Sequence, residues 1–305
     1  ISMSALAKLL STRGYSVCGS DAVKSEQTDS LAFYGIKTYV GEEEKRPALL
    51  EADSVVYTDA ISQENKELQQ ARRMGKRLLS RAELLGMVCG NFSNVIAVAG
   101  SHGKTTCSSM CAHILRSCKV PFTAHIGGED LQFGNFYTTG YEYFLTEAYK
   151  YKKNLSKISA DVAILLNIDK DHMECYDNEQ DLTAHFYGFC QNAKTAFVCA
   201  DDKKCVTFTE FATFGIENTL SDYRATNIRT NGERYSFTVE EYGKSLCRVQ
   251  LRAIGYCNIY NALAAFAAMR ALGFHEKEIV KGLENFTAVK RRFEKIGRYR
   301  GASFI

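Results

Sequence analysis

Polar and apolar positions follow two different periods along this chain. Residues 2–10, Ser-Met-Ser-Ala-Leu-Ala-Lys-Leu-Leu, form a small and apolar stretch that predicts a helix closed by Gly14. Residues 15–19 then read as a strand that runs to the acidic Asp21. Short runs at 37–39, 54–57 and 77–79 predict more strands, with helical segments such as 64–74 between them. Strands alternating with helices predict a parallel, doubly wound sheet. The polar stretch 90–94 reads as a linker. Residues 95–99, Val-Ile-Ala-Val-Ala, are continuously apolar, as in a parallel strand covered on both faces. A helix over about 104–116 follows, then strands at 143–146, 162–167 and 195–199. Beyond residue 205 the period becomes two. Residues 234–239 and 247–251 alternate, and Asn231-Gly232 supplies a tight turn, so an antiparallel segment is expected. Helices return at 258–272 and 275–286.

Composition changes this picture only by exclusion. With 46% hydrophobic and 24% charged residues, the 305-residue chain is neither disordered, collagen-like nor a coiled coil. Lys+Arg 38 against Asp+Glu 35 leaves +3, spread along the chain, so no nucleic-acid partner is expected. No apolar run approaches the roughly 18 residues of a membrane span, and no membrane partner is expected. The eleven cysteines contain no C-x-x-C pair and no signal peptide precedes them, which predicts reduced thiols in a cytoplasm. Nothing in the sequence speaks to oligomeric state.

The chemistry concentrates where the apolar run 95–99 meets the following helix. Gly100-Ser101-His102-Gly103-Lys104-Thr105-Thr106 lies at that junction. Backbone N–H groups at such a turn face inward, and the helix N-terminus favours negative charge. Lys104 is placed to reach β- and γ-phosphates and the Thr105 hydroxyl to reach Mg²⁺. The common pattern G-x-x-x-x-G-K-[ST] would put a glycine at position 98, which is Val98, so the loop is a shorter variant. The expected fold class is α/β throughout: a Rossmann-like domain over 1–93, then a P-loop-type α/β domain with its antiparallel β segment over 94–293. A helix at the very start and a hairpin pattern over 296–305 read as parts of larger units, with a first strand before residue 1 and a further domain opening at 294–305.

The loop, read together with Gly19-Ser20-Asp21, Tyr57-Thr58-Asp59-Ala60-Ile61, Asn65 and Arg81-Ala82-Glu83-Leu84-Leu85, resembles the Mur ligase family of ATP-dependent amide-forming enzymes of peptidoglycan synthesis. The resemblance runs over essentially the whole chain. His102, between the two glycines, points to the branch that joins L-alanine to UDP-N-acetylmuramate; a sibling branch that adds a peptide to the same UDP-sugar is the alternative, and an inactive nucleotide-binding fragment is a second. The resemblance implies ATP and Mg²⁺ as cofactors, a glycine-rich strand turn before Ile1, and a third domain from near Ile305.

It also implies roles for individual residues. Gly100, Ser101, His102, Gly103, Lys104, Thr105 and Thr106 would hold ATP phosphates. Glu147, at the end of the strand 143–146, and His172, in Asn167-Ile168-Asp169-Lys170-Asp171-His172, match Mg²⁺ ligands beside Thr105. Asn167 matches a motif position without an assigned role. Asn258, in Gly255-Tyr256-Cys257-Asn258-Ile259-Tyr260-Asn261, matches an adenine reader; it also fits a helix N-cap, and both can hold. Arg291 and Arg292 match phosphate contacts, with bidentate guanidinium geometry suited to that task. Lys104, Glu147, His172 and Arg292 are the expected catalytic set. Asp21, His125, Gly127 and Gly128 match UDP-sugar contacts. Two positions depart from the family pattern: Lys150 stands where an acid is usual, and Cys257 stands where a histidine is usual.

Overall fold

The computed structural model describes residues 1–305 apart from Glu42, Glu44, Lys45, Lys150, His172, Glu233, 293–296, Arg300, Gly301 and Ile305, and apart from the side chains of 151–153, 298, 299 and 302–304. The chain divides into two compact units, Ile1–Asn91 and Phe92–Ile305.

The first unit runs α1 (Ser2–Thr12), β1 (Cys18–Asp21), α2 (Glu26–Leu31), β2 (Lys37–Val40), α3 (Ala48–Glu51), β3 (Ser54–Tyr57), α4 (Lys66–Arg73), β4 (Arg77–Ser80) and α5 (Arg81–Cys89). The alternation is the expected one, and the pairings β1–β2 and β3–β4 are parallel. The first strand starts three residues later than its pattern predicted, at Cys18, because Tyr15 and Ser16 lie outside the ladder. Helix starts follow local capping chemistry. Ser80 and Glu83 cap α5 reciprocally: the Ser80 N–H donates to Glu83 Oε2 at 2.8 Å and the Glu83 N–H to Ser80 Oγ at 3.2 Å. The Asn65 carboxamide oxygen accepts from the Leu68 N–H at 3.0 Å, which starts α4 two residues after the predicted boundary. Ala5, Leu6, Leu9, Leu68, Ala71 and Leu85 form its buried centre.

The second unit runs β5 (Asn94–Ala99), α6 (Lys104–Ser117), β6 (Phe122–Asp130), β7 (Gly134–Thr138), β8 (Tyr143–Glu147), β9 (Val162–Leu165), α7 (Glu179–Gln191), β10 (Thr195–Cys199), β11 (Ala212–Gly215), β12 (Tyr223–Thr230), β13 (Arg234–Glu241), β14 (Lys244–Ile254), α8 (Cys257–Ala271), α9 (Glu276–Asn285), β15 (Gly297–Tyr299) and β16 (Ala302–Phe304). Ten strands form one sheet in the order β14-β13-β12-β11-β10-β9-β5-β8-β6-β7. Its middle is parallel, and the hairpins β12–β13–β14 and β6–β7 add antiparallel edges. The antiparallel segment read from residues 234–251 is thus part of the main sheet. β5 is buried from Val95 to Ala99, as its uninterrupted apolar run requires. α6 and α8 are buried along almost their whole length and belong to the core that covers this sheet.

The stretch read as a linker is more than polar connection. Phe92 is buried, with its ring stacked on Phe144 at 4.7 Å and 21°, so the second unit starts with an anchored side chain.

Candidate active site

Sheet order explains why distant sequence segments meet. β5 lies between β8 and β9, with Val98 opposite Glu147 and Ala99 opposite Leu165. The carboxyl ends of three adjacent parallel strands therefore carry the glycine loop, Glu147 and the segment that begins at Leu166. This is where α/β sheets place ligands. A cleft of about 1490 Å³ opens there; Lys104, Thr105, Glu147, Asn258, Arg291 and Arg292 are among its walls.

The glycine loop leaves β5 at Gly100 (φ 141°) and enters α6 at Gly103 (φ 84°), both in the left-handed region that favours glycine. A Cβ on Gly103 would stand 2.5 Å from Asn261 Oδ1, so the backbone passes too close to α8 for any side chain. Lys104 is the first residue of α6, and its Nζ donates to the carbonyls of Gly100 at 2.7 Å and Ser101 at 3.0 Å. The ammonium is thereby curled over the loop.

Glu147 is 1% exposed. Its Oε1 accepts from the Gly127 N–H at 2.6 Å and its Oε2 from the Thr105 hydroxyl at 3.2 Å. Burial pushes its carboxyl above the ordinary range, against the Gly127 N–H, the nearby Lys104, the Thr105 hydroxyl and Arg292, which all pull it down. A buried carboxylate beside a threonine hydroxyl is a hard-oxygen donor set, the kind that suits Mg²⁺. Among the described residues no three His, Cys, Asp or Glu side chains converge as a metal cage. Mg²⁺ takes one or two protein oxygens together with phosphates and water, so this set fits it. His172 and Lys150 lie outside the described residues.

The segment 289–292 brings the arginines to the cleft. The Lys290 N–H donates to the Glu129 carbonyl at 2.8 Å, and Val289 bridges to Asp130, which straps the segment to the end of β6. Arg291 (φ 65°) and Arg292 then present exposed guanidinium groups at the cleft wall.

Other predicted positions land differently. Asn258 is 5% exposed; its Nδ2 donates to the Ile254 carbonyl at 2.7 Å and its Oδ1 accepts from Asn261 Nδ2 at 3.0 Å. It lies inside α8 rather than at the N-cap, which is Tyr256, and it bonds back one turn. His125 is fully buried, with Nδ1 2.9 Å from the Thr146 hydroxyl, so its side chain belongs to the sheet interior. Gly127 and Gly128 pack against Glu147 and Thr105. A Cβ on Gly127 would collide with the Tyr149 hydroxyl and stand 2.5 Å from Glu147 Oε2; one on Gly128 would stand 2.8 Å from Thr105 Cγ2. Asp21 ends β1 in the first unit and is exposed, with its carbonyl accepting from the Gly41 N–H at 2.9 Å.

Sequence reasoning missed a second wall of the cleft. Asp201, just past β10, accepts from the Ile216, Glu217 and Asn218 N–H groups and from the Tyr260 hydroxyl at 2.9 Å. Burial raises its carboxyl, and those four bonds outweigh it, holding the group below the ordinary range. The signal was available: Asp201-Asp202 follows an apolar strand, as Glu147 does.

Comparison with known proteins agrees with this geometry. The Mur ligase middle domain profile matches residues 98–269, and the profile of the Mur ligase family, catalytic domain, matches 1–93. The chain belongs to the Mur ligase family. UDP-N-acetylmuramate–L-alanine ligases of Clostridium novyi and Clostridium acetobutylicum are each 37% identical to this Mur ligase chain over its whole length, and the chain spans 68% of each. The UDP-N-acetylmuramate-alanine ligase structure from Thermotoga maritima superposes with a TM-score of 0.88 at 25% identity, covering 98% of this chain and 69% of that one. A murein peptide ligase structure from Psychrobacter arcticus superposes with a TM-score of 0.82 at 25% identity, covering 97% of this chain and 68% of that one. Among the described residues, no helix is long and apolar enough to cross a membrane.

Proposed function

We propose that this chain carries the first two domains of an ATP-dependent ligase that joins L-alanine to the lactyl carboxylate of UDP-N-acetylmuramate, in peptidoglycan synthesis. The observation that carries this reading is the conjunction of a phosphate-type loop, a buried Glu147 and two cleft arginines, in a chain 37% identical to such ligases throughout.

The reaction has two parts. The carboxylate takes the γ-phosphoryl group of ATP and becomes an acyl phosphate; the amine of L-alanine then attacks that carbon, and phosphate leaves. Lys104 and the loop N–H groups orient the ATP phosphates, and Arg291 and Arg292 offset charge on the transferring group. Thr105 and Glu147 would hold Mg²⁺, with His172 as a further candidate. Mg²⁺ supplies charge neutralisation of the transferring phosphoryl group when bound. Asn258 and Asn261 wall the same cleft, and Asn258 keeps one amide hydrogen and one lone pair beyond its internal bonds for an adenine edge. No protein nucleophile is needed, so the reaction requires no catalytic role of the eleven cysteines. Scattered thiols without a disulfide support a cytoplasmic location.

The murein peptide ligase neighbour favours one second reading: a peptide in place of L-alanine. Phosphate release with Mg-ATP and UDP-N-acetylmuramate separates the two. Release that depends on L-alanine supports the main reading, and release that depends only on a tripeptide replaces it.

A further inference from the structure

The glycine loop is short, with Val98 where a longer phosphate loop has its first glycine. A short loop has few backbone groups of its own to fix its shape, and the partners of these groups lie across the sheet. The Asn167 carboxamide meets both backbone polar groups of His102: its Oδ1 accepts from the His102 N–H at 2.8 Å, and its Nδ2 donates to the His102 carbonyl at 3.2 Å. The pattern is returned by the neighbouring residue. The Ser101 hydroxyl accepts from the Asp169 N–H at 2.8 Å and donates to the Asp169 carbonyl at 3.2 Å. The Ser101 N–H donates to the Asn167 carbonyl at 3.1 Å. A Cβ on Gly100 would stand 3.1 Å from Leu166 Cβ, so the two segments are also in close packing.

We propose that Asn167 is a positioning residue for the reaction. Its side chain locks the loop that receives the ATP phosphates to the segment after β9, which runs on to Asp171 at the cleft wall. The role rests on the nucleotide reading given above. A carboxamide suits it for a chemical reason. It presents one donor and one acceptor in one plane, as a paired strand residue would, whereas a carboxylate only accepts and an alkyl group does neither. The His102 side chain is exposed, and its N–H is held by the bond to Asn167.

Two variants and two readouts test this. Asn167→Leu keeps the size and removes both bonds; Asn167→Asp keeps the acceptor but sets a carboxylate against the His102 carbonyl. Amide exchange by NMR on the protein without nucleotide should show the His102 N–H protected in wild type and released in Asn167→Leu. Protection of β5 and α6 should be unchanged, with the melting temperature within about 4 °C of wild type. Titration with Mg-ATP should show affinity weakened roughly ten- to hundred-fold in Asn167→Leu, the scale expected for a displaced phosphate contact. Asn167→Asp should weaken it at least as much while keeping part of the His102 protection. Unchanged His102 exchange in Asn167→Leu overturns the proposal, as does unchanged Mg-ATP affinity in a variant whose wild type binds. A wild-type protein with a protected His102 N–H and no Mg-ATP binding sinks the nucleotide reading, and this role with it.

Discussion

The two units share an α/β plan and differ in their strands. In residues 92–305 the strands beside the site, β5 from Val95 onward and all of β9, are apolar and buried on both faces. In residues 1–91 the strands are four residues long and pair two by two; β1 is Cys-Gly-Ser-Asp, exposed at every position. The difference shows what a transfer site demands. Lys104, Glu147 and Asn167 all lie at the carboxyl ends of interior strands of a ten-stranded sheet, or just beyond them. The first unit presents polar strand ends on a lighter frame.

Experiments can break this comparison at its strong end first. Glu147→Gln removes the buried carboxylate and should lower turnover roughly 100-fold if, as proposed, Glu147 helps hold Mg²⁺, whose charge stabilisation is worth several kcal/mol. The same change should stabilise the protein at neutral pH. A carboxyl whose pKa is raised by folding binds more protons in the native state, so native stability declines as pH climbs from the ordinary Glu range to the raised value. Calorimetry at pH 5 and pH 8 should show the variant gaining on wild type at the higher pH; an equal or lower melting temperature at pH 8 contradicts the assigned burial. Gly127→Ala should cost activity roughly ten-fold or more with a smaller loss of fold, because its Cβ meets Glu147 and the Tyr149 hydroxyl. Steady-state kinetics beside a thermal melt separates the two effects.

The next effect is structural. Asp130 and His113 are both buried, with Oδ2 and Nε2 3.2 Å apart, and the Asp130 Oδ1 accepts from the Gln132 and Phe133 N–H groups. Burial pushes the carboxyl up, and these partners more than reverse it. Asp130→Asn should cost about 2 kcal/mol at pH 7 by denaturant titration. A depressed carboxyl contributes stability above the ordinary Asp value and loses it as pH falls through the lower one. The gap between variant and wild type should therefore close below about pH 4. A gap that persists at pH 2 would point to packing instead. The smallest perturbation is no mutation at all: amide exchange should be faster in β1 and β2 than in β5 and β9, by roughly 100-fold or more. Equal protection would erase the contrast between the units.

What could be read in advance follows the same division. The run 95–99 announces β5 because both its faces are covered, and with it come Lys104 and Thr105, which open the helix after its loop; Glu147 is read the same way from the end of β8. β6 does not announce itself: Phe-Thr-Ala-His-Ile-Gly-Gly-Glu-Asp has neither a clean alternation nor a continuous apolar run, since its glycines serve the close approach to Glu147 and Thr105. β1 was misplaced by three residues because an exposed strand carries no hydrophobic signature. Asn167 sat in a recognisable motif, yet its bracket on His102 depends on β9 lying beside β5, out of chain order. His125 matches a UDP-sugar contact in sequence; the register of β6 against β8, which sets it opposite Thr146 with its Nδ1 on that hydroxyl, had no sequence signal.

The most direct test of the account is a calorimetric titration of the protein and of its Lys104→Ala variant with Mg-ATP. The account predicts saturable binding by wild type and a loss of roughly 100-fold or more in the variant, because the ammonium that lies over Gly100 and Ser101 is the cation proposed to meet the phosphates. Equal binding by the two proteins would mean that the nucleotide does not use this loop, and the assignment of the cleft would fall.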